Sequence, residues 1–223
     1  MNLGFYQKHK KMTRFLLKIS NALSFKNKIK QKKGNSIKLG CVLFRGVKIY
    51  FRGTGNKIEI GDFSRLKNCN IYVYGNNNII KLGERNYLNK VDLYIEHDNN
   101  SIILGNHNSL EMDTHLDAIE GTSIIIGDDC MFSKDINIRT GDGHAIVNKK
   151  TGERINPSRD VTIGNHVWIG MRVIFLKGTS IGDNCVVGAS SIVTKKIEKS
   201  NVAVAGNPAI IVKENIDWKR DIN

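Results

Sequence analysis

Taking a proton from a hydroxyl near neutral pH calls for a base whose pKa lies close by, and an unperturbed imidazole titrates at about 6.5. Among the six histidines of this 223-residue chain, His144 stands in the best setting for such work. It closes the stretch Arg139-Thr140-Gly141-Asp142-Gly143-His144. Asp142 lies two residues earlier and supplies a carboxylate able to orient the ring or hold its far N–H. Trp168 follows 24 residues after His144, inside Val167-Trp168-Ile169-Gly170. The remaining histidines are weaker candidates. His97, His107 and His166 fall at turn positions and are expected to be solvated. His115 shares a column with Leu93 and Ile71, which predicts an inward structural side chain or one lining a neighbouring cleft.

The loop that carries His144 interrupts a repeat. An apolar-Gly pair recurs as Leu39-Gly40, Ile60-Gly61, Leu82-Gly83, Leu104-Gly105 and Ile126-Gly127, at steps of 21, 22, 22 and 22 residues. Ile37, Ile58, Ile80, Ile102 and Ile124 stand two positions before each pair. Phe44, Leu66, Leu88, Leu110 and Phe132 keep the same step farther along. Polar residues, mostly Asn, precede each unit. After residue 160 the repeat shortens to six-residue steps within units 161–178, 179–196 and 197–214. The pieces alternate apolar and polar residues, which is strand periodicity. Units this short cannot bury their own apolar side, so they must stack, giving ladders of Ile, Leu and Val and parallel strands about 4.8 Å apart. The pattern predicts a mostly β protein, a parallel β-helix, with glycines at corners that need positive φ. Residues 141–160 match no column and hold turn-forming residues, so they form a protruding loop.

Charge divides the chain. Lys and Arg total 34 against 21 Asp and Glu, for a net +13. Residues 1–58 contain 15 of the bases and no acid. Within them, residues 5–30 mix Phe5, Tyr6, Phe15, Leu16, Leu17, Ile19, Leu23, Phe25 and Ile29 with lysines, an amphipathic helical pattern. Two readings stand: a solvated basic helix packed over the end of the next domain, or attachment to an anionic membrane surface or polymer. No nucleic-acid motif accompanies the charge, so nucleic acid is not expected as a partner. Four widely spaced cysteines, Cys41, Cys69, Cys130 and Cys185, form no CxxC pair and no histidines stand at close spacing, so no metal is expected. Reduced thiols and the absence of a secretory pattern or long apolar run predict a cytoplasmic protein, with a peripheral position at the inner face of the membrane as an option. The expected divisions are a basic segment 1–34, a β-helix 35–214 and a tail 215–223.

Over 139–214 the sequence resembles the hexapeptide-repeat acyltransferases, whose β-helix is left-handed. The resemblance rests on Arg139–His144, Val167–Gly170, Ile181-Gly182-Asp183-Asn184, Ser191–Lys195 and Ala205-Gly206-Asn207-Pro208-Ala209. The tail around Trp218 looks like that of sugar and capsule O-acetyltransferases, including those acting on sialic acid polymers. By this resemblance His144 is the general base in direct transfer from acetyl-CoA, with Asp142 as its helper. The resemblance places Trp168, Ala189, Thr194 and Lys195 along a coenzyme A groove, with Met171 where relatives often carry a serine. Lys195 and Lys196 are candidates for its phosphates. It also implies a homotrimer with active sites between prisms. Acceptor contacts are expected on the outer faces of coils 56–143, including Glu111, Asp113 and His115. The expected activity is O-acetylation of a bacterial surface polysaccharide or its sugar precursor. A small acceptor such as an antibiotic, free sugar or amino sugar nucleotide is the alternative, and a non-catalytic β-helix scaffold the rival from another class.

Overall fold

A computed structural model of the chain describes residues 9–24, 26–30 and 33–222. Three parallel sheets form the sides of a prism, and each is built from eight strands contributed by successive coils. The first face begins with Lys28–Lys30 and Lys48–Arg52 and ends with Ile192–Val193. The second runs from Ser36–Leu39 to Lys196–Ile197, and the third from Leu43–Arg45 to Val202–Gly206. The mostly β coiled architecture expected from the repeat is therefore the one observed.

The columns read in the sequence become ladders inside the prism. Ile58, Ile80, Ile102 and Ile124 are register partners on the second face, and Leu66, Leu88, Leu110 and Phe132 on the third. All eight are essentially inaccessible to solvent, and burying each such side chain stabilises the fold by about 1.5–3 kcal/mol. All four cysteines are buried as well, and burial pushes the Cys69 and Cys130 thiols up to about 11 and about 12.

Asparagine has a larger part than a turn-former. Along one corner Asn56 N–H donates to Asn35 Oδ1, Asn78 N–H to Asn56 Oδ1 and Asn100 N–H to Asn78 Oδ1, at 3.0, 2.9 and 2.7 Å. A second corner repeats the scheme through Ser64, Asn86, Asn108 and Cys130. These side chains are buried, so each carries a backbone N–H that water cannot reach.

The glycines of the apolar-Gly pairs are needed for a reason other than the expected positive φ. None of Gly61, Gly83 and Gly105 is in the left-handed region. A Cβ on Gly61 would lie 2.6 Å from the backbone of Gly83 in the next coil, so the pairs are set by coil-to-coil contact. Positive φ falls instead on turn residues such as Asn77, His97, Asn99 and His107.

The ends depart from the simple repeat. Lys28–Lys30 already pairs with residues 48–50 and lays the first rung. In the last eighteen-residue unit, Ala209–Glu214 folds back antiparallel on Val202–Gly206 instead of completing a coil. Helix α1, Lys10–Leu23, lies against the first coil, where Asn21 accepts from Phe44 N–H and donates to the Val42 carbonyl at 2.9 Å each. Phe5, Tyr6 and Phe25 of the amphipathic stretch lie outside the described residues.

Asn78→Ala removes the acceptor of the buried Asn100 backbone N–H, while the Asn100 side-chain amide keeps the Glu96 carbonyl at 2.9 Å. A buried unsatisfied donor is worth about 1–3 kcal/mol. The expected result is a loss of that size in urea unfolding, against little change for Lys81→Ala at an exposed strand position.

Candidate active site

The loop leaves the prism at the corner between the first and second faces, after Asn137–Arg139, and rejoins it at Val161–Ile163. Gly141 is buried at its base, where a Cβ would lie 2.2 Å from Ser158 Oγ and 2.5 Å from Ile119 Cδ1. Gly143 then turns with φ of 76°. His144 follows, exposed at the surface of the loop.

Asp142 is expected from the sequence to orient the His144 ring, and its carboxylate is engaged by other groups. Its Oδ2 is ion-paired with Lys177, which comes from the next coil at the same corner. The same oxygen accepts from Asn156 Nδ2 at 2.7 Å. The Lys177 ammonium, and then the Asn156 amide, hold this carboxyl below its ordinary range. Asn156 also donates to the His144 carbonyl at 2.8 Å and accepts from the Ile146 N–H at 2.7 Å. A buried asparagine thus fixes the backbone on which His144 sits. Arg154 reaches Glu120 through two bonds of 2.7 and 2.9 Å, and Ser158 Oγ donates to the same carboxylate at 2.6 Å. Arg154 and then Ser158 bring the Glu120 pKa down to about 2.

Asn156, Lys177, Arg154 and Glu120 were not read from the sequence. Asn156 and Arg154 lie inside the loop, where no periodicity assigns a direction. Lys177 looks like any surface lysine until the coil is closed.

The residues expected to hold coenzyme A occupy different sides of the prism. Trp168 is 40% exposed on the third face, in register with Met131 and Val186. Met171 and the exposed Ala189 follow the third-face strands, at the corner leading to the first face. Thr194 and Lys195 are exposed at the corner between first and second faces, the same corner as the His144 loop, and Lys196 begins the last second-face strand. Lys195, Lys196, Glu198 and Lys199 line a depression of about 350 Å³ with Ile210 and Ile211 along its side, and Lys199 is paired with Glu214 at 2.6 Å. Cations over an apolar wall fit a phosphate-bearing ligand with an alkyl arm.

The acceptor candidates are outward-facing but dispersed. Glu111 accepts from Asn89 Nδ2 at 2.9 Å, and Asp113 occupies a positive-φ turn. His115 points outward, with Nδ1 3.4 Å from Asp92 Oδ2, and Leu116 takes the inward column opposite Leu93. The step from Val91 to Thr114 is 23 residues, one more than the repeat, and a one-residue slip exchanges the faces of a strand.

His107 and His166 are bound rather than simply solvated. Both Nδ1 atoms meet Asp129, at 2.8 and 2.7 Å. The His166 ring stacks on Trp218 with centroids 4.2 Å apart, and Trp218 Nε1–H donates to the His166 carbonyl at 2.8 Å. Burial alone would lower the His166 pKa, but the Asp129 carboxylate and the Trp218 carbonyl outweigh it and raise the value. Arg220 bonds to Asp129, so the tail is tied down beside Trp168, whose ring lies 6.2 Å from Trp218.

A three-sided parallel prism interrupted by one long corner loop is the architecture of a hexapeptide-repeat transferase. The Bacterial transferase hexapeptide (six repeats) family matches residues 160–195. The solved structure of the polysialic acid O-acetyltransferase OatWY is 31% identical, with a TM-score of 0.70, over 88% of this chain and 92% of that one. The polySia-specific acetyltransferase NeuO is 30% identical, with a TM-score of 0.62, over 86% of this chain and 91% of that one. A polysialic acid O-acetyltransferase of Escherichia coli O1:K1 is 40% identical over 91 residues, covering 41% of this chain and 29% of that protein. Its Neisseria meningitidis counterpart is 38% identical over 91 residues, 41% of this chain. The matched segment thus spans 29% and 42% of the length of these curated relatives. The chain belongs to the hexapeptide-repeat acetyltransferase family.

Glu120 and Asp142 both have pKa values below their ordinary 4.5 and 3.8. Their ion pairs therefore support the loop fully above about pH 4.5 and lose that support as pH falls toward about 2. Amide exchange at Ile146 and Ile155, corrected for intrinsic rates, is expected to lose protection across that window before the prism does. Uniform protection of loop and prism down to pH 2 would contradict this.

Proposed function

We propose that this chain is an O-acetyltransferase that moves acetyl from acetyl-CoA to a hydroxyl of an acidic bacterial surface polysaccharide, of polysialic acid type, or its sugar precursor. The observation that carries the reading is the likeness to two polysialic acid O-acetyltransferase structures over 88% and 86% of the chain. Acetyl-CoA supplies an activated thioester, and the basic and apolar depression at Lys195, Lys196 and Lys199 fits its phosphates and pantetheine arm.

In this reading His144 removes the acceptor hydroxyl proton as that oxygen attacks the acetyl carbonyl. The carbon–sulfur bond breaks, and the proton returns from the imidazolium to the departing thiolate. Asn156 fixes the His144 backbone, and Asp142 with Lys177 anchors the loop from below.

Trp168, Ala189 and the Thr194–Lys196 segment cannot line one groove of a single prism, because they lie on the third face and at two different corners. A ring of identical heterologous contacts would bring one copy's third face against another's loop corner. The working unit in this proposal is therefore a homotrimer.

Residues 9–30 support a peripheral membrane position. Met12, Phe15, Leu16, Ile19 and Leu23 form one helical stripe, exposed by 41–78%. Thr13 and Asn21 take the side toward the prism, and Lys11 and Lys18 flank the stripe. An exposed apolar stripe bordered by lysines matches an interfacial helix on an anionic surface. No described helix is long and apolar enough to cross a membrane.

Thiol release from acetyl-CoA, followed with polysialic acid, neutral glycans and small acceptors, tests the activity. The wild type is expected to turn over on the acidic glycan. His144→Ala is expected to lose about 10²–10⁴ in rate while still binding acetyl-CoA. A variant as fast as wild type would remove His144 from the mechanism, and turnover confined to small acceptors would replace the polysaccharide reading.

For the membrane position, a Leu16→Asp, Ile19→Asp double variant is expected to stop co-sedimenting with vesicles rich in anionic lipid. Retention equal to wild type would leave the helix without this role.

A further inference from the structure

The lower half of the first face carries an aromatic array that the transfer chemistry leaves unused. Lys30, Tyr50, Tyr72, Tyr94, Asp117 and Arg139 are successive register partners in one outward column. Five rung steps at about 4.8 Å make the column about 24 Å long. The Tyr50 and Tyr72 rings stack at 5.5 Å with planes 12° apart, and Tyr72 and Tyr74 stack at 6.2 Å. Tyr94 meets Tyr74 edge-on at 5.7 Å. Lys30 Nζ stands 5.6 Å from the centre of the Tyr50 ring. Arg52, in register with Tyr74, shares with Tyr74, Tyr94, His97 and the carboxylate of Glu96 a shallow depression of about 590 Å³.

We propose that this face binds the acceptor as an extended acidic glycan chain and leads it to the catalytic loop, a proposal that rests on the transferase reading above. The tyrosines are half-exposed, so the prism does not use them as core. The rings stack on one another, so the column offers a sugar chain a row of ring edges and phenol groups. Their phenol groups add hydrogen-bond donors and acceptors for sugar hydroxyls. Lys30 and Arg52 place cations at the lower end, where carboxylates spaced along a glycan would find partners.

Direction comes from register. The column rises rung by rung to Arg139, and the chain then passes through Thr140 into the loop that holds Asp142 and His144. Arg139 pairs with Asp117 at 3.3 Å directly below that exit. Glycan lying along the tyrosines would therefore continue toward the base without crossing a prism corner. The face would bind several sugar units at once and hold a long chain better than a short one.

Titration calorimetry of the full-length wild type with long-chain polysialic acid and with its trimer tests this, with light scattering to follow the oligomeric state. The long chain is expected to bind more tightly than the trimer. Tyr72→Ala with Tyr94→Ala is expected to weaken long-chain binding about ten-fold or more, for the loss of two rings from the row. Arg52→Glu, an exposed substitution outside the ring stack, is expected to weaken it too and to flatten its salt dependence. Unchanged affinity in both variants overturns the proposal. So does dissociation of the double variant into smaller species, which would make the face a subunit contact. A wild type that releases thiol on a neutral acceptor yet does not bind polysialic acid overturns the glycan track and leaves the transferase reading standing.

Discussion

Every other feature depends on how closely one coil can lie on the next. Parallel backbone pairing sets that approach, and along the face edges it brings main chain against main chain. A Cβ at Gly83 would come within 2.5 Å of the Gly105 carbonyl oxygen, and one at Gly127 within 2.8 Å of the Asn165 backbone N. The corners need a further provision, because strand pairing stops there while burial does not. Buried Asn56, Asn78 and Asn86 lend a side-chain oxygen to a backbone N–H one coil away. Glycine at the contact and asparagine at the turn are two answers to the same spacing.

That rigidity explains where irregular structure is tolerated. A long insertion at a corner disturbs no register, since the strands on either side still pair. Val161–Ile163 takes its place over Ile124–Ile126 although 37 residues separate the partners. The loop then depends on its own polar contacts for shape. Asn156 serves as its internal post, and Glu120 and Lys177 tie it to the coils before and after. His144, presented this way, is exposed on a loop held at both ends.

How much of this could be read from the chain follows from the range of each interaction. The ladders repeat every 22 residues, so columns of Ile, Leu and Asn announced the coil and placed the loop as the segment that fits none. The column count alone puts His115 beside Leu93 and Ile71, but one extra residue between Leu110 and Leu116 breaks that count, so Leu116 takes the column and His115 the outer face. The clasp of His107, Asp129, His166, Trp218 and Arg220 was invisible for another reason: Arg220 and Asp129 are 91 residues apart, and no periodicity links a tail to a coil. Trp218 in an otherwise polar tail was the one signal available, since a large aromatic there needs somewhere to bury. The Asp142 partners were hidden likewise, because Lys177 becomes a neighbour only once two coils are stacked.

The dispersal of the expected donor-binding residues follows from the same geometry. A three-sided prism presents side chains on three outward faces, and residues a few positions apart in sequence are carried around a corner. Thr194 and Trp168 are separated by one and a half coils and lie on different sides. A site that uses both must recruit the second from another copy or give one of them up. The clasp bears on this choice, because it holds Trp218 against His166 and beside Trp168, stiffening the third face at the height of the loop. In the proposed trimer, the aromatic wall of one copy and the tethered loop corner of another would face each other across a shared cleft. The tyrosine column adds the remaining dimension, running along the prism axis toward the His144 loop, whereas the proposed donor cleft would open across the faces.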